Sequence, residues 1–243
     1  MSGGFKSQVN QISNPYLRAI MAFVYPPIAI QNIISKSEYS IIKFHLFNND
    51  KSKILNIGSG DSSGVGHKLW SGEQNLHVVN LDVQEGPNID IVADAHKIPV
   101  DDCTYDSVIM QSVIEHLHTP RLAIEESYRI LKPGGYLYLE VPFLQGFHAD
   151  PCDFQRYTLP GLLQLTGCFD EVILSGVSSG PFSTCNWLLR DLFSNLTPLK
   201  SLNLFTRFLF SWIFFPIKYL DKLIKHTKAS ERLACEYFIL LKK

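Results

Sequence analysis

Short apolar runs alternate with longer mixed stretches between residues 54 and 142, and this alternation sets the reading of the whole chain. Ile54-Leu55-Asn56-Ile57, His77-Val78-Val79-Asn80-Leu81, Ile89-Asp90-Ile91-Val92-Ala93 and Tyr105-Asp106-Ser107-Val108-Ile109-Met110 each have the length and flanking turn residues of a strand, as does the run into Pro142 that begins near Arg129. Helix-like stretches separate them, which predicts a parallel sheet with right-handed crossovers. Phe169–Val177 and Cys235–Leu241 read as two further strands, with more than 50 residues between them. Ahead of residue 50, Tyr25-Pro26-Pro27 splits the apolar stretches Leu17–Val24 and Ile28–Ile34, a pattern read as a helical cap over residues 1–50 that either closes over a ligand or packs on the sheet.

The first run ends in Gly58-Ser59-Gly60-Asp61-Ser62-Ser63-Gly64. Glycines at 58 and 60 accept backbone angles closed to other residues and let the main chain lie against a ligand. Alone, such a turn serves dinucleotides, phosphates and sulfonium cofactors alike, or binds nothing. Asp82 ends the second run about 20 residues on, where an acid accepts hydrogen bonds from ribose hydroxyls in doubly wound nucleotide sites. Two later motifs narrow the choice: Asp94-Ala95-His96-Lys97-Ile98-Pro99 and Leu131-Lys132-Pro133-Gly134-Gly135.

In this order and spacing, residues 54–142 resemble the class I S-adenosylmethionine-dependent methyltransferases, in particular the small-molecule branch with a GxG turn, an Asp, D-A-x-x-[IL]-P, E-H and L-K-P-G-G. The resemblance implies an α/β, Rossmann-like, doubly wound seven-stranded sheet, mostly parallel with an antiparallel last strand and a helical insertion before it. It implies a methyltransferase domain over 51–178 and 230–243 and an insertion over 179–229. S-adenosylmethionine is then the cofactor, contacted by Asn56, Gly58, Ser59 and Gly60, by Asp82 and Val83, by Asp94 and Ala95, and by Gln111. The family's usual acid two residues before the first glycine is here Asn56, and its third glycine normally falls earlier than Gly64. A noncatalytic binding protein that keeps the fold is the rival reading, sustained by Asn56.

Methyl transfer from a sulfonium is an in-line displacement, so the protein's tasks are to align donor and acceptor, exclude water and, where needed, take a proton. Gln111-Ser112-Val113-Ile114-Glu115-His116-Leu117-His118 follows the fourth strand, and the resemblance puts His116 in the E-H position. It serves either as a base or as a structural hydrogen-bonding group at a helix start. His116 and His118 lack a third ligand nearby, so no metal is expected. After the fifth strand, residues 148–162 resemble H-x-x-P-x-D-[FY]-x-R-[FY]-T-x-x-G-L, a pattern of bacterial methyltransferases linked with cell-surface polysaccharide synthesis. His148 is the first candidate for a catalytic base, with Asp150, Asp153, Arg156 and Tyr157 as acceptor-binding groups; Arg156 suits a carboxylate or phosphate. The structural alternative pairs Asp153 with Arg156 to pin the loop, with Thr158 capping a helix from Leu159.

Composition adds limits. A hydrophobic content of 46% supplies a full core, and a net charge of −1 argues against a nucleic-acid partner. Five scattered cysteines show neither zinc nor disulfide spacing, and the N-terminus lacks a secretory pattern, which places the expected protein in the cytoplasm. The segment Leu202–Leu220 is dense in aromatics, and Lys218, Lys222, Lys225 and Lys228 lie at its end and beyond. It reads as a buried helix pair, as a helix resting on the inner face of a membrane through residues 200–228, or, against Arg207 and Pro216, as a span. The expected reaction is O-methylation of a sugar or lipid-linked glycan intermediate; a quinone, lipid or other small metabolite fits the motifs at 54–142 equally. Oligomeric state is not encoded in any motif.

Overall fold

The computed structural model describes residues 30–47, 52–60, 76–148, 152–196 and 200–243. The stretch Leu17–Val24, Gly64 and Asp150 lie outside the described residues. Seven strands form one sheet: β1 (Lys53–Ile57), β2 (His77–Asp82), β3 (Ile91–Val92), β4 (Tyr105–Gln111), β5 (Leu131–Pro142), β6 (Glu171–Ser179) and β7 (Glu236–Lys242), in the order β3-β2-β1-β4-β5-β7-β6. The first five pair in parallel. The reciprocal bonds Gly134 N–H to Lys243 O and Lys243 N–H to Gly135 O run β7 against β5. Asp170 N–H to Lys242 O and Cys235 N–H to Ser179 O do the same for β6. The seven-stranded, mostly parallel sheet with its antiparallel last strand is therefore as expected.

The described residues fall into two compact units, one of Ile34–Phe143, Phe154–Gly176 and Tyr237–Lys243, the other of Leu144–Asp153 and Val177–Glu236 together with residues up to Ile33. In the first, helix α1 (Lys36–Leu46) starts at a capping box: Ser35 accepts from Glu38 N–H, and the Glu38 carboxylate accepts from Ser35 N–H. Its Ile42 and Leu46 pack on Ile54, Ile109, Tyr138, Phe238 and Leu240. The Ser107 hydroxyl donates to the Leu46 carbonyl, tying the helix end to β4. Leu55, Ile57, Val108, Met110 and Leu139 are buried on the opposite face, as befits strands of a parallel sheet covered on both sides. Helix α2 (Pro120–Ile130) packs against β5.

Some boundaries differ from expectation. Strand β3 is two residues long, because Ile89 N–H turns back to Gly86 O while Asp90 N–H bonds Asn80 O and its carboxylate accepts from Asn80 N–H. Phe169 N–H likewise closes a turn on Thr166 O, so β6 starts later than the sequence suggests. Where a helical cap was expected across Ile28–Ile34, residues 31–35 contain no helix; Asn32 bridges Ser179 and Ile33 N–H donates to Ser178 O.

In the second unit, α4 (Pro181–Ser194) and α5 (Lys200–Phe214) pack together, with Phe193 against Phe210 and Phe214; α3 (Leu159–Leu165) belongs to the first. A 3-10 turn (Phe215–Leu220), α6 (Asp221–Ile224) and α7 (Lys228–Arg232) complete the insertion. Asp221 is fully buried and accepts from Phe182 N–H, Ser183 N–H and the Ser183 hydroxyl, capping the first turn of α4. No helix among the described residues is long and apolar enough to cross a membrane.

Phe238 is fully buried against Tyr138 and α1. Phe238→Ala is expected to cost about 3–5 kcal/mol of unfolding free energy, measured by urea denaturation of the purified chain.

Candidate active site

Everything at the C-terminal edge of β1 depends on how its turn is held. Gly58 and Gly60 have φ of +69° and +64°, angles that a side chain rarely adopts. Gly58 N–H and Ser59 N–H both donate to the Leu81 carbonyl, at 2.8 and 3.2 Å. Gly60 N–H donates to Asp82 Oδ2 at 2.9 Å, and Gln84 N–H to Asp82 Oδ1 at 3.0 Å. One main-chain donor on each oxygen fixes the carboxylate plane and leaves further lone pairs on both for a diol. A Cβ on Gly60 would meet nothing within 4 Å among the described residues, so the turn borders open space on their side. On Gly58 it would meet Val113 Cγ2 at 2.4 Å.

Asn56 is buried, and its side-chain amide donates to Asn80 Oδ1 at 3.0 Å. The residues are register partners in adjacent parallel strands, so the two amides pair side by side. Asn80 was not singled out in the sequence; a second Asn at the facing register position was the available signal. Val83, just beyond Asp82, is exposed.

Asp94 accepts from His96 N–H at 2.9 Å, which, with the His96 ring beside it, holds its carboxyl below the usual carboxylate range. The His96 ring stacks on His118 with centroids 4.4 Å apart. Ala95 is buried. This loop is pinned from behind by α2. Glu126 accepts from Ile98 N–H, and Arg129 donates to the Ile98 and Val100 carbonyls and to Glu126 itself.

At the end of β4, Gln111 Oε1 is buried with no hydrogen-bond partner among the described residues, an acceptor waiting for a donor. Ser112 follows in the left-handed region at φ +53° with its N–H on the Glu140 carbonyl, and strained non-glycine geometry of this kind clusters at functional sites. That conformation, unsignalled in the sequence, turns Val113 toward Gly58. His116 lies in a 3-10 turn (Ile114–His116) with Nε2 3.7 Å from Glu115 Oε1. Glu115 is fully buried. Tyr157 donates to Gln155 Oε1 at 2.6 Å, and Gln155 Nε2 donates to the Leu117 carbonyl. Burial and the Glu115 charge push the Tyr157 phenol up to about 12, so it stays a protonated donor at neutral pH. Arg156 Nη1 donates to the Gln155 carbonyl. Thr158 caps α3 as expected, accepting from Gly161 N–H.

In the second unit, His148 N–H donates to Asp153 Oδ2 at 2.7 Å, and its ring Nδ1 lies 3.0 Å from the Gly146 carbonyl. A carbonyl only accepts, so Nδ1 carries the proton and Nε2 the lone pair. Asp153 Oδ2 is 3.8 Å from Nδ1. Trp187 of α4 lies beside the ring, centroids 5.6 Å apart, a neighbour no motif announced.

The arrangement fits an adenosyl-type cofactor on three counts: a carboxylate with lone pairs to spare at the end of β2, a glycine bordering open space, and a buried orphan acceptor at the end of β4. Comparison agrees with the fold. Residues 55–139 match the methyltransferase domain family. No curated protein sequence matches the chain. Among solved structures, a SAM-dependent methyltransferase from Archaeoglobus fulgidus is similar at TM-score 0.52 and 16% identity, covering 84% of this chain and 90% of that one. A Burkholderia thailandensis 1,6-didemethyltoxoflavin-N1-methyltransferase, solved with its substrate and S-adenosylhomocysteine, gives 0.53 and 13%, with 98% and 87% covered. A SAM-dependent methyltransferase from Thermotoga maritima gives 0.52 and 17%, with 98% of both chains covered. At such identities the likeness speaks to the fold alone.

Two outcomes are expected here. Asp82→Ala should abolish calorimetric binding of whichever nucleoside cofactor the wild type takes, while the melting temperature moves by only a few degrees. Glu126 is held below the usual carboxylate range, chiefly by Arg129, so it contributes stability that is present above its unfolded pKa and lost as pH falls through its folded pKa. Glu126→Gln should therefore lower Tm by about 2–4 °C at pH 7, and the gap should close below about pH 4; thermal melts across pH measure both.

Proposed function

We propose that this chain, a SAM-dependent methyltransferase, methylates an oxygen of a sugar or lipid-linked glycan intermediate on the cytoplasmic side. The observation that carries the acceptor reading is His148: its Nδ1–H is held on the Gly146 carbonyl, so Nε2 is the ring nitrogen that would exchange a proton with a hydroxyl. The polar residues after β5 resemble those of polysaccharide-associated methyltransferases, which favours a hydroxylated acceptor over a quinone.

When bound, S-adenosylmethionine would supply a methyl group on a sulfonium, the acceptor oxygen taking the carbon in line as the carbon–sulfur bond breaks and S-adenosylhomocysteine leaves. Asp82 would accept from the ribose hydroxyls, and Gly58 and Gly60 would let the main chain approach the cofactor closely. Gln111 Oε1 takes a proton donor such as an ammonium. Asp94 and Ala95, one ionised and one apolar, would flank the adenine end of the cofactor. On the acceptor side, His148 Nε2 removes the hydroxyl proton as the new carbon–oxygen bond forms. Asp153, beside Nδ1, stabilises the imidazolium that results. Arg156 holds an anionic group of the acceptor, and the Tyr157 hydroxyl, its own proton on Gln155 Oε1, accepts a hydrogen bond from the acceptor.

The test combines titration and turnover. S-adenosylmethionine and S-adenosylhomocysteine should bind in calorimetry at micromolar strength, with NADH inert. Labelled methyl should then appear on a glycan acceptor offered in soluble or polyprenyl-linked form. His148→Ala should lower kcat about 100-fold or more and leave cofactor Kd unchanged. Unchanged turnover in that variant removes His148 from the mechanism, and transfer to a quinone but to no glycan overturns the acceptor class.

A further inference from the structure

A helix on a water-soluble protein buries its apolar side and shows its polar one, yet α4 and α5, beside the phenylalanines packed between them, also turn polar groups inward and an apolar line outward. On α4, Ser183, Asn186 and Ser194 are buried, while Leu188 and Leu192 are exposed, with Leu196 continuing the line just past the helix. These leucines recur every four residues, one line along the surface. On α5, Arg207 and Ser211 are buried at 8% and 1% exposure, whereas Leu202, Phe205, Leu209, Trp212 and Ile213 are exposed, Phe205 at 62%. Their spacing of three and four again draws one stripe.

Several of the inward polar groups have internal partners, although the buried Ser194 hydroxyl has none among the described residues. Arg190 and Arg207 both approach Asp191 Oδ1, at 3.8 and 3.9 Å. The Thr206 hydroxyl donates to carbonyls at Leu202 and Asn203. Arg190 also lies over the Trp187 ring. The pair thus keeps its charge inside and leaves two adjoining apolar stripes outward, larger than the scattered apolar residues of an ordinary surface.

Charge identifies the occupant. From Leu192 to Ser230 the sequence carries a single acidic residue, Asp221, and it is buried in the cap of α4. Lys222 and Lys228 are exposed and Lys225 half-exposed just beyond the stripe, with Lys222 near the Tyr219 ring. Apolar residues with Trp and Tyr at their margin and lysines beyond complement a surface that is greasy within and negative at its boundary. At 15 residues, α5 is about 22 Å long, short of a hydrocarbon core of about 30 Å.

We propose that the outward faces of α4 and α5 dock on an anionic lipid bilayer, lying in the headgroup boundary with the lysines on the lipid phosphates. This goes beyond the acceptor reading and does not depend on it, since docking needs neither cofactor nor glycan.

The experiment is cosedimentation of the full chain with vesicles of phosphatidylcholine, alone or mixed with anionic phosphatidylglycerol. Binding to the mixed vesicles should be about 100-fold tighter and should weaken as salt rises. Phe205→Ser/Leu209→Ser/Ile213→Ser changes exposed positions only and should weaken binding about 100-fold or more, with circular dichroism and cofactor titration unchanged. Lys222→Gln/Lys225→Gln/Lys228→Gln should erase the preference for anionic lipid. Failure of the full chain to bind either vesicle, or undiminished binding by the serine variant, overturns the proposal. So does a concentration-dependent dimer that the serine variant abolishes and vesicles do not compete with, which would assign the face to a second copy. Glycan methylation in solution without vesicle binding would separate the failure of this proposal from that of the acceptor reading.

Discussion

Three main-chain donors at the end of β1 organise the cofactor half of this protein. Gly58 and Ser59 both give their N–H groups to the Leu81 carbonyl, and Gly60 gives its own to Asp82. The turn therefore spends its donors on holding the next strand's end in register and on orienting the Asp82 carboxylate. A glycine-rich turn is often pictured as an amide cradle for an anion. Here it works as a latch that aims an acid, which explains why an uncharged Asn56 is tolerated behind it. Asn56 turns sideways to Asn80 and stiffens the pair of strands instead of reaching toward the ligand.

The two compact units reach stability by opposite arrangements. Around the parallel sheet, Ile42, Ile54, Ile109 and Phe238 make a conventional dry core. In the helical unit, guanidinium groups on Asp191 and a carboxylate on helix-start amides occupy the inside. Buried charge is retained at a cost unless its partners are close and numerous. Asp221 meets that condition with Phe182 N–H and both donors of Ser183, although burial still pushes its carboxyl up.

Much of the sheet, and the placement of the candidate residues along its edge, was legible because its determinants are local. Strand, turn and acid fall within one crossover, and Asp82, Asp94 and Gln111 stand at or just past the C-terminal ends of β2, β3 and β4. What escaped the sequence is set by partners distant along the chain. Ile89 has the pattern of a strand but closes a turn on Gly86, because the Asp90 carboxylate takes the Asn80 amide. Residues 31–35 have an apolar stretch that suits a helix, yet they run beside Ser178 and Ser179. In α4 and α5 the periodicity announces two faces without saying which one turns inward. Trp187, the neighbour of His148, sits far along the chain in a segment with no recognisable motif.

The contact between Gly58 and Val113 has an evolutionary consequence. Position 58 is restricted twice, by a backbone angle that disfavours side chains and by a valine methyl already in the space that a Cβ would take. Trimming Val113 relieves only the second restriction, and Val113 owes its place to the unusual angle at Ser112. Drift at any of the three is conditional on the others, so the end of β1 and the end of β4 change together or not at all.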